Sequence, residues 1–227
     1  MIETGKRCVL VSGGLDSAVS LAEAMREGPV APVFVRSGLV WEPAEMYWLE
    51  RFLQTIGAPP LVVLDVPVGD LYGAHWGVTG DEPPGAESPD EAVYLPGRNL
   101  LLLSKAGVWA AEDGCAAIVM GPLAANPFPD GTRAFFDAMG LAIGLAMGRE
   151  GALRIETPLA GLTKAEVVRR AGGLPLEFTF SCLAPTPGHR HCGACNKCAE
   201  RKKGFSEAGV ADPTEYAYGS RAGAGST

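Results

Sequence analysis

Cys8-Val9-Leu10-Val11 runs straight into Ser12-Gly13-Gly14-Leu15-Asp16-Ser17, and the fold follows from how that junction is read. Four small apolar residues suit a buried strand. Gly13 and Gly14 permit a tight turn and close backbone approach. Leu15, Val19, Ala22 and Met25 then fall close to one helical face. At such a junction the N–H groups of the turn and of the helix start face an anion. Ser12 and Ser17 add hydroxyl donors, and Asp16 can cap the helix or hold Mg²⁺ on a phosphate. Two glycines alone would fit any strand-to-helix corner; the whole six-residue string is what marks a phosphate site. It is not a Walker loop, because no Gly-Lys-Ser/Thr follows, and it is not a Gly-x-Gly-x-x-Gly dinucleotide turn.

Working outward, short apolar runs recur at Pro32–Val35, Leu61–Asp65, Ala117–Met120 and Leu153–Ile155. Helical periods lie between them: Trp48, Phe52 and Ile56 share a face, and Arg98–Glu112, Thr132–Met147 and Lys164–Arg170 are expected helices. Thr163 with Glu166 three residues on forms the signature of a capping box. Strand–helix alternation predicts an α/β fold: a doubly wound parallel sheet covered on both faces, with ligands beyond the carboxyl ends of its strands. The expected organisation is a phosphate-binding domain over residues 1–175, a small C-terminal cysteine-rich subdomain over 176–217 and a flexible tail over 218–227. The Gly-, Pro- and acid-rich stretch Val66–Val93 is expected to be a mobile lid or a partly disordered insertion.

The 227 residues are 47% hydrophobic and 20% charged, with a net charge of −7. This is a chain able to build its own core and a poor general ligand for nucleic acid. No apolar run reaches membrane-spanning length, and Met1–Val11 lacks a secretory start, so a cytoplasmic address is expected. One basic stretch, with Arg190, Lys197, Arg201, Lys202 and Lys203, reads either as a solvated helix face or as a phosphate-facing patch.

The six cysteines are unevenly placed. Cys8 and Cys115 sit in apolar runs as expected core residues. Cys182, Cys192, Cys195 and Cys198 follow C-x9-C-x2-C-x2-C, with Gly193 at the turn. Four soft ligands suit a tetrahedral Zn²⁺ in a closed, structural site. His189 or His191 could replace one ligand, and an iron–sulfur cluster or unmetallated thiols are the other readings.

The Ser12–Ser17 string resembles the PP-loop of the ATP pyrophosphatase superfamily, whose members have a Rossmann-like fold, cleave ATP between the α- and β-phosphates and adenylate an oxygen of the substrate. Together with the four cysteines, the chain length and the segments Leu95–Asn99, Glu156–Leu159, Leu162–Glu166, Phe180–Cys182, Arg201 and Gly204–Phe205, it resembles the 7-cyano-7-deazaguanine synthase family across nearly the whole chain. The resemblance implies an ATP-dependent carbon–nitrogen ligase in queuosine biosynthesis that turns a deazapurine carboxylate and ammonia into an amide and then a nitrile, often as a homodimer. Ser12, Gly13, Gly14, Leu15, Asp16, Ser17, Arg36 and Asn99 would hold ATP and Mg²⁺. Asp16, Arg98 and Lys164 would carry the chemistry. Two segments depart from the family: Val35–Glu42 stands where Tyr-Gly-Gln-Arg-His is usual, and Gly121–Thr132 is shortened, with Arg133 one residue late for the family arginine. These departures leave room for a divergent enzyme acting on a related deazapurine or joining it to a larger partner. A tRNA thiolase and a zinc-bearing nucleotide sensor are the rival readings.

Overall fold

The computed structural model describes residues 5–218; the N-terminal four residues and all but the first residue of the expected tail lie outside them. Five parallel strands form one sheet in the order β3-β2-β1-β4-β5. They are β1 (Arg7–Leu10), β2 (Val30–Arg36), β3 (Val62–Asp65), β4 (Ala117–Val119) and β5 (Arg154–Glu156), each within about two residues of an expected run. The chain moves outward from β1 to β3, then returns to the other side of β1 for β4. The switch therefore lies between β1 and β4, and the crevice beyond their carboxyl ends is where this architecture binds ligands.

Both faces are covered, as the expected sandwich requires. Helices α1 (Leu15–Glu27) and α2 (Glu42–Thr55) pack Leu21, Leu49 and Phe52 against Val9 and Phe34 on one side. The short helices α3 (Gly69–Tyr72) and α4 (Trp76–Thr79) follow β3. Helices α5 (Arg98–Glu112) and α6 (Arg133–Ala146) pack Leu103, Phe136 and Ile143 against Cys8 and Ile118 on the other side. Helix α5 crosses α6 closely at Gly107, where a Cβ would stand 2.3 Å from Ile143 Cδ1. Pro32 lies inside β2 without breaking it, because the pairing of β2 with β3 starts only at Val33; a missing N–H costs least where a strand has one neighbour.

Helix α7 (Lys164–Arg170) begins with the expected capping box: Thr163 Oγ1 accepts from Glu166 N, and Glu166 accepts from Thr163 N at 2.7 Å. It packs against α8 (Asn196–Ala208). Residues 66–93, expected as a lid or a disordered insertion, carry α3 and α4 and are tied to the start of α8. Asn196 N donates to Pro84 O at 2.9 Å, and Asn196 Nδ2 donates to Ser88 O at 2.8 Å. Backbone and amide bonds of this kind order a segment that its composition alone leaves open.

Candidate active site

The junction that starts the chain also starts the site. Gly13 adopts φ +76°, and a Cβ on it would lie 2.8 Å from Glu45 O. Glycine is thus required for conformation and for space. Gly14 caps α1 with no side-chain hydrogen bond, so the first N–H groups of a thirteen-residue helix keep their free donors. The two serines brace the turn: Ser17 Oγ donates to Gly14 O at 3.0 Å and accepts from Ser12 N at 3.2 Å. Phe180 N donates to Gly13 O at 2.7 Å, which pins the turn to the segment leading into the cysteines. Gly13→Ala is expected to cost about 1–3 kcal/mol in stability and to weaken ATP binding at least about tenfold. Thermal melts and nucleotide titration check this; a variant that melts and binds like the parent removes the close-approach requirement.

A cavity of about 380 Å³ opens in front of the turn. Asp16, Arg98 and Lys164 all line it, so three elements distant in sequence converge there. Lys164 Nζ donates to Asp16 Oδ2 at 2.6 Å and to Glu200 Oε1 at 2.9 Å, and Lys197 Nζ donates to Glu200 Oε2 at 2.6 Å. Burial alone would pull the Lys164 ammonium down, but the Asp16 and Glu200 carboxylates outweigh it and hold the group above the ordinary lysine range. Burial likewise would raise Glu200, yet Lys164 and Lys197 bring it down to about 2. The stem of Lys164 lies across α8 at Gly204, where a Cβ would meet Lys164 Cγ at 2.3 Å. The other oxygen of Asp16, Oδ1, is buried with no hydrogen-bond partner. An orphaned carboxylate oxygen beside a phosphate turn is a suitable ligand for a hard cation.

Asn99 and Arg36 are each held by an aspartate. Asn99 lines the cavity, but its Nδ2 donates to Asp130 O at 2.9 Å while Asp130 Oδ2 accepts from Asn99 N. Asn99 thus ties the 121–132 segment to the start of α5. Arg36 ends β2 at the surface, donates to Asp65 at 2.5 Å and is absent from the cavity wall. Arg133 is absent from it too: its Nη1 donates to Ile155 O at 2.8 Å. The basic stretch proves to be no single face. Lys197 and Arg201 line the cavity, and Arg201 is itself buried on Thr179 and Leu176 O. Lys202 folds back to Gly193 O, and Lys203 is exposed.

The segment at 35–42 builds a wall in place of a polar string. Glu42 accepts from Ser37 N and Gly38 N at 2.8 Å each, closing a turn that buries Leu39 and Trp41. Trp41 stacks on Trp76 with centroids 5.4 Å apart, and Tyr94 stacks on Phe128 at 4.8 Å; all four rings line the cavity. One turn along α2 from Trp41, Glu45 also faces the cavity. Burial pushes it up to about 8, with Arg98 pulling the other way. Lys197 belongs to the basic stretch singled out in the sequence, whereas Glu45 and Glu200 carry no motif of their own; the spacing of Glu45 four residues after Trp41 is the available signal.

The four clustered cysteines meet: their Sγ atoms all lie within 4.8 Å of one another and all four residues are buried. The pairs Cys192–Cys198 and Cys182–Cys195 stand 3.9 Å apart, close to the edge of about 3.8 Å that a tetrahedron with metal–sulfur bonds of about 2.3 Å requires. Backbone N–H groups of Cys192, Leu183, Gly193 and Ala194 point at the sulfurs at 3.2–3.4 Å, which favours thiolates. Neither histidine is a ligand in this arrangement. His191 Nε2 accepts from Ser181 N at 3.1 Å, and burial lowers its pKa to about 3. His189 stacks on Tyr47. The donor set is therefore four thiols, which fits a closed metal centre.

The family model for the queuosine biosynthesis protein QueC matches residues 6–209. Among curated proteins, the 7-cyano-7-deazaguanine synthase of Solidesulfovibrio magneticus is 37% identical, over 93% of this chain and 95% of the relative. That of Syntrophotalea carbinolica is 36% identical over 93% and 96%. The protein of the same name from Methanothermobacter thermautotrophicus is 36% identical over 91% and 97%. No helix among the described residues is long and apolar enough to cross a membrane.

Proposed function

The chain belongs to the family of the queuosine biosynthesis protein QueC, and on that premise we propose that it is an ATP-dependent carbon–nitrogen ligase converting 7-carboxy-7-deazaguanine and ammonia into 7-cyano-7-deazaguanine. The observation that carries the reading is convergence: the Ser12–Ser17 turn, Lys164 and Arg98 open onto one cavity that is also walled by stacked flat rings. A triphosphate and a planar heterocycle can meet there.

In this reading the free N–H groups of the turn and of α1 receive the phosphates. The substrate carboxylate attacks the α-phosphorus, forming an acyl–adenylate oxygen–phosphorus bond and expelling pyrophosphate. Lys164 and Arg98 offset the negative charge that builds during this step. Ammonia then adds to the acyl carbon and AMP leaves, giving the amide. A second ATP activates the amide oxygen in the same way, and loss of AMP with a proton leaves the nitrile. No side chain needs to become covalently bound, because positioning and charge carry both rounds. Asp16, through its orphaned oxygen, would hold Mg²⁺, which screens phosphate charge when bound. The four thiols would hold Zn²⁺ as a structural ion that fixes the start of α8, and with it Glu200 and Gly204 behind Lys164. Division into an ATP-binding unit over 1–175 and a cysteine-bearing unit over 176–217, assembly as a homodimer and a cytoplasmic setting belong to the same reading.

Incubation with ATP, ammonium and 7-carboxy-7-deazaguanine, followed by mass detection, is expected to yield AMP, the amide and the nitrile. AMP release that does not depend on the deazapurine acid sinks the assignment. A product that stops at the amide sinks its second round.

A further inference from the structure

Trp41, which caps α2, and Glu42 and Glu45, in its first turn, have different fates. Glu42 is fully engaged by the N–H groups of Ser37 and Gly38. Trp41 is 4% exposed and stacked on Trp76. Glu45 is 9% exposed, lines the cavity, and has its Oε2 buried without any partner. A carboxyl group in such a place is costly unless something completes it. Its own main chain touches the phosphate turn, since Glu45 O is the atom that a Cβ on Gly13 would strike at 2.8 Å. Glu45 therefore meets the cavity beside that turn, with Trp41 on the same wall.

We infer that Glu45 reads the hydrogen-donating edge of the substrate's guanine-like ring, accepting from its ring N–H and its 2-amino group, and so selects 2-amino deazapurines over rings that lack this group. The inference rests on the proposed reaction and names the residue that would choose its substrate. The chemistry singles out that edge. A carboxylate offers two parallel acceptors, and a guanine-type ring presents two parallel N–H donors to match them. The adenine of ATP presents one amino donor beside a ring-nitrogen acceptor, which would repel the second oxygen. Burial favours the protonated carboxyl and Arg98 favours the anion; two ligand N–H groups add to the side of the anion.

The test compares 7-carboxy-7-deazaguanine with 7-carboxy-7-deazahypoxanthine, which lacks only the 2-amino group. The wild type is expected to prefer the first in kcat/KM by about tenfold to a hundredfold, the worth of a charge-assisted hydrogen bond. Glu45→Gln, whose amide has one acceptor, is expected to lose that factor with the 2-amino acid and to treat the two acids alike, while its KM for ATP stays put. Glu45→Asp keeps the charge and is expected to keep the preference at lower kcat/KM. Turnover by the wild type with the same preference in Glu45→Gln overturns the assignment of Glu45 and leaves the reaction standing. So does a rise in the KM for ATP alone. No wild-type turnover of either acid overturns the reaction and this inference together. Should Glu45→Gln not fold, calorimetry of wild type and Glu45→Asp with 7-deazaguanine and 7-deazahypoxanthine decides it: tighter binding of the first by both proteins supports the inference, and equal binding by either overturns it.

Discussion

Asp16→Asn is expected to lower AMP release with ATP, ammonium and 7-carboxy-7-deazaguanine by a factor on the order of 10²–10³. The expected size comes from the two jobs its carboxylate performs. Oδ2 accepts from Lys164 Nζ at 2.6 Å, and Oδ1 is the buried oxygen with no partner, beside the phosphate turn. An amide keeps the shape but removes the charge from both. It leaves Lys164 balanced by Glu200 alone, which Lys197 shares, and it presents a neutral oxygen, or an N–H₂, where a hard cation would bind. Lys164 retains one ion pair, so the fold is expected to survive and the cysteine cluster to keep its metal. The measurement is AMP per enzyme per minute by chromatography, with a melt and a metal assay on the same sample. Unchanged AMP release removes Asp16 from the mechanism. Lost AMP release with a collapsed melt reassigns it to stability.

The part of this site that could be read from the sequence is the part that is contiguous. The phosphate turn works through backbone conformation, and backbone conformation follows from Gly13, Gly14 and the strand before them. The same holds for α7, whose start is announced by Thr163 and Glu166, and for the four thiols, whose spacing permits one tetrahedron. The sheet was legible because its inner strands are buried on both faces and so read as apolar runs; β2 is buried from Val30 to Val35 and β4 throughout. What stayed hidden depends on contacts between distant segments. Glu200 matters because α8 packs on α7 and brings its carboxylate to Lys164. Asn99 stands at the helix start where its place in the sequence puts it, but its hydrogen bonds to Asp130 come from a distant segment that no local pattern announces. Arg36 stands at a strand end as its place in the sequence suggests, but its pairing with Asp65 depends on the neighbouring strand. Residues 66–93 looked loose because a composition rich in Gly and Pro says nothing of Asn196, which fastens them from the far end of the chain.

Cys198→Ser is expected to strip the metal and to loosen the C-terminal quarter of the molecule. Cys198 is buried, with its sulfur 3.9 Å from that of Cys192 and accepting from Gly193 N at 3.4 Å. Closed sites of this kind bind zinc with about 10–16 kcal/mol in small peptides, which matches or exceeds the whole stability of a typical domain, about 5–15 kcal/mol. The region has few other means to hold its shape, since the cysteines are themselves much of the buried cluster that joins Trp41, Leu95 and Phe180. The consequence reaches the reaction. Cys195 caps α8, Asn196 fastens residues 84–90, and Glu200 and Gly204 seat Lys164. Loss of metal should therefore appear as faster hydrogen exchange over 182–204 and over 84–90, and as lost AMP release, all in one variant. Cys115→Ala removes a buried thiol outside the cluster and should keep the metal and the exchange pattern. Elemental analysis of the wild type fixes the ion: one zinc per chain is expected, and iron with visible absorption would replace the structural ion with a cluster. Normal exchange in a metal-free Cys198→Ser protein would show that packing alone holds α8, and would break the link drawn between the thiols and Lys164.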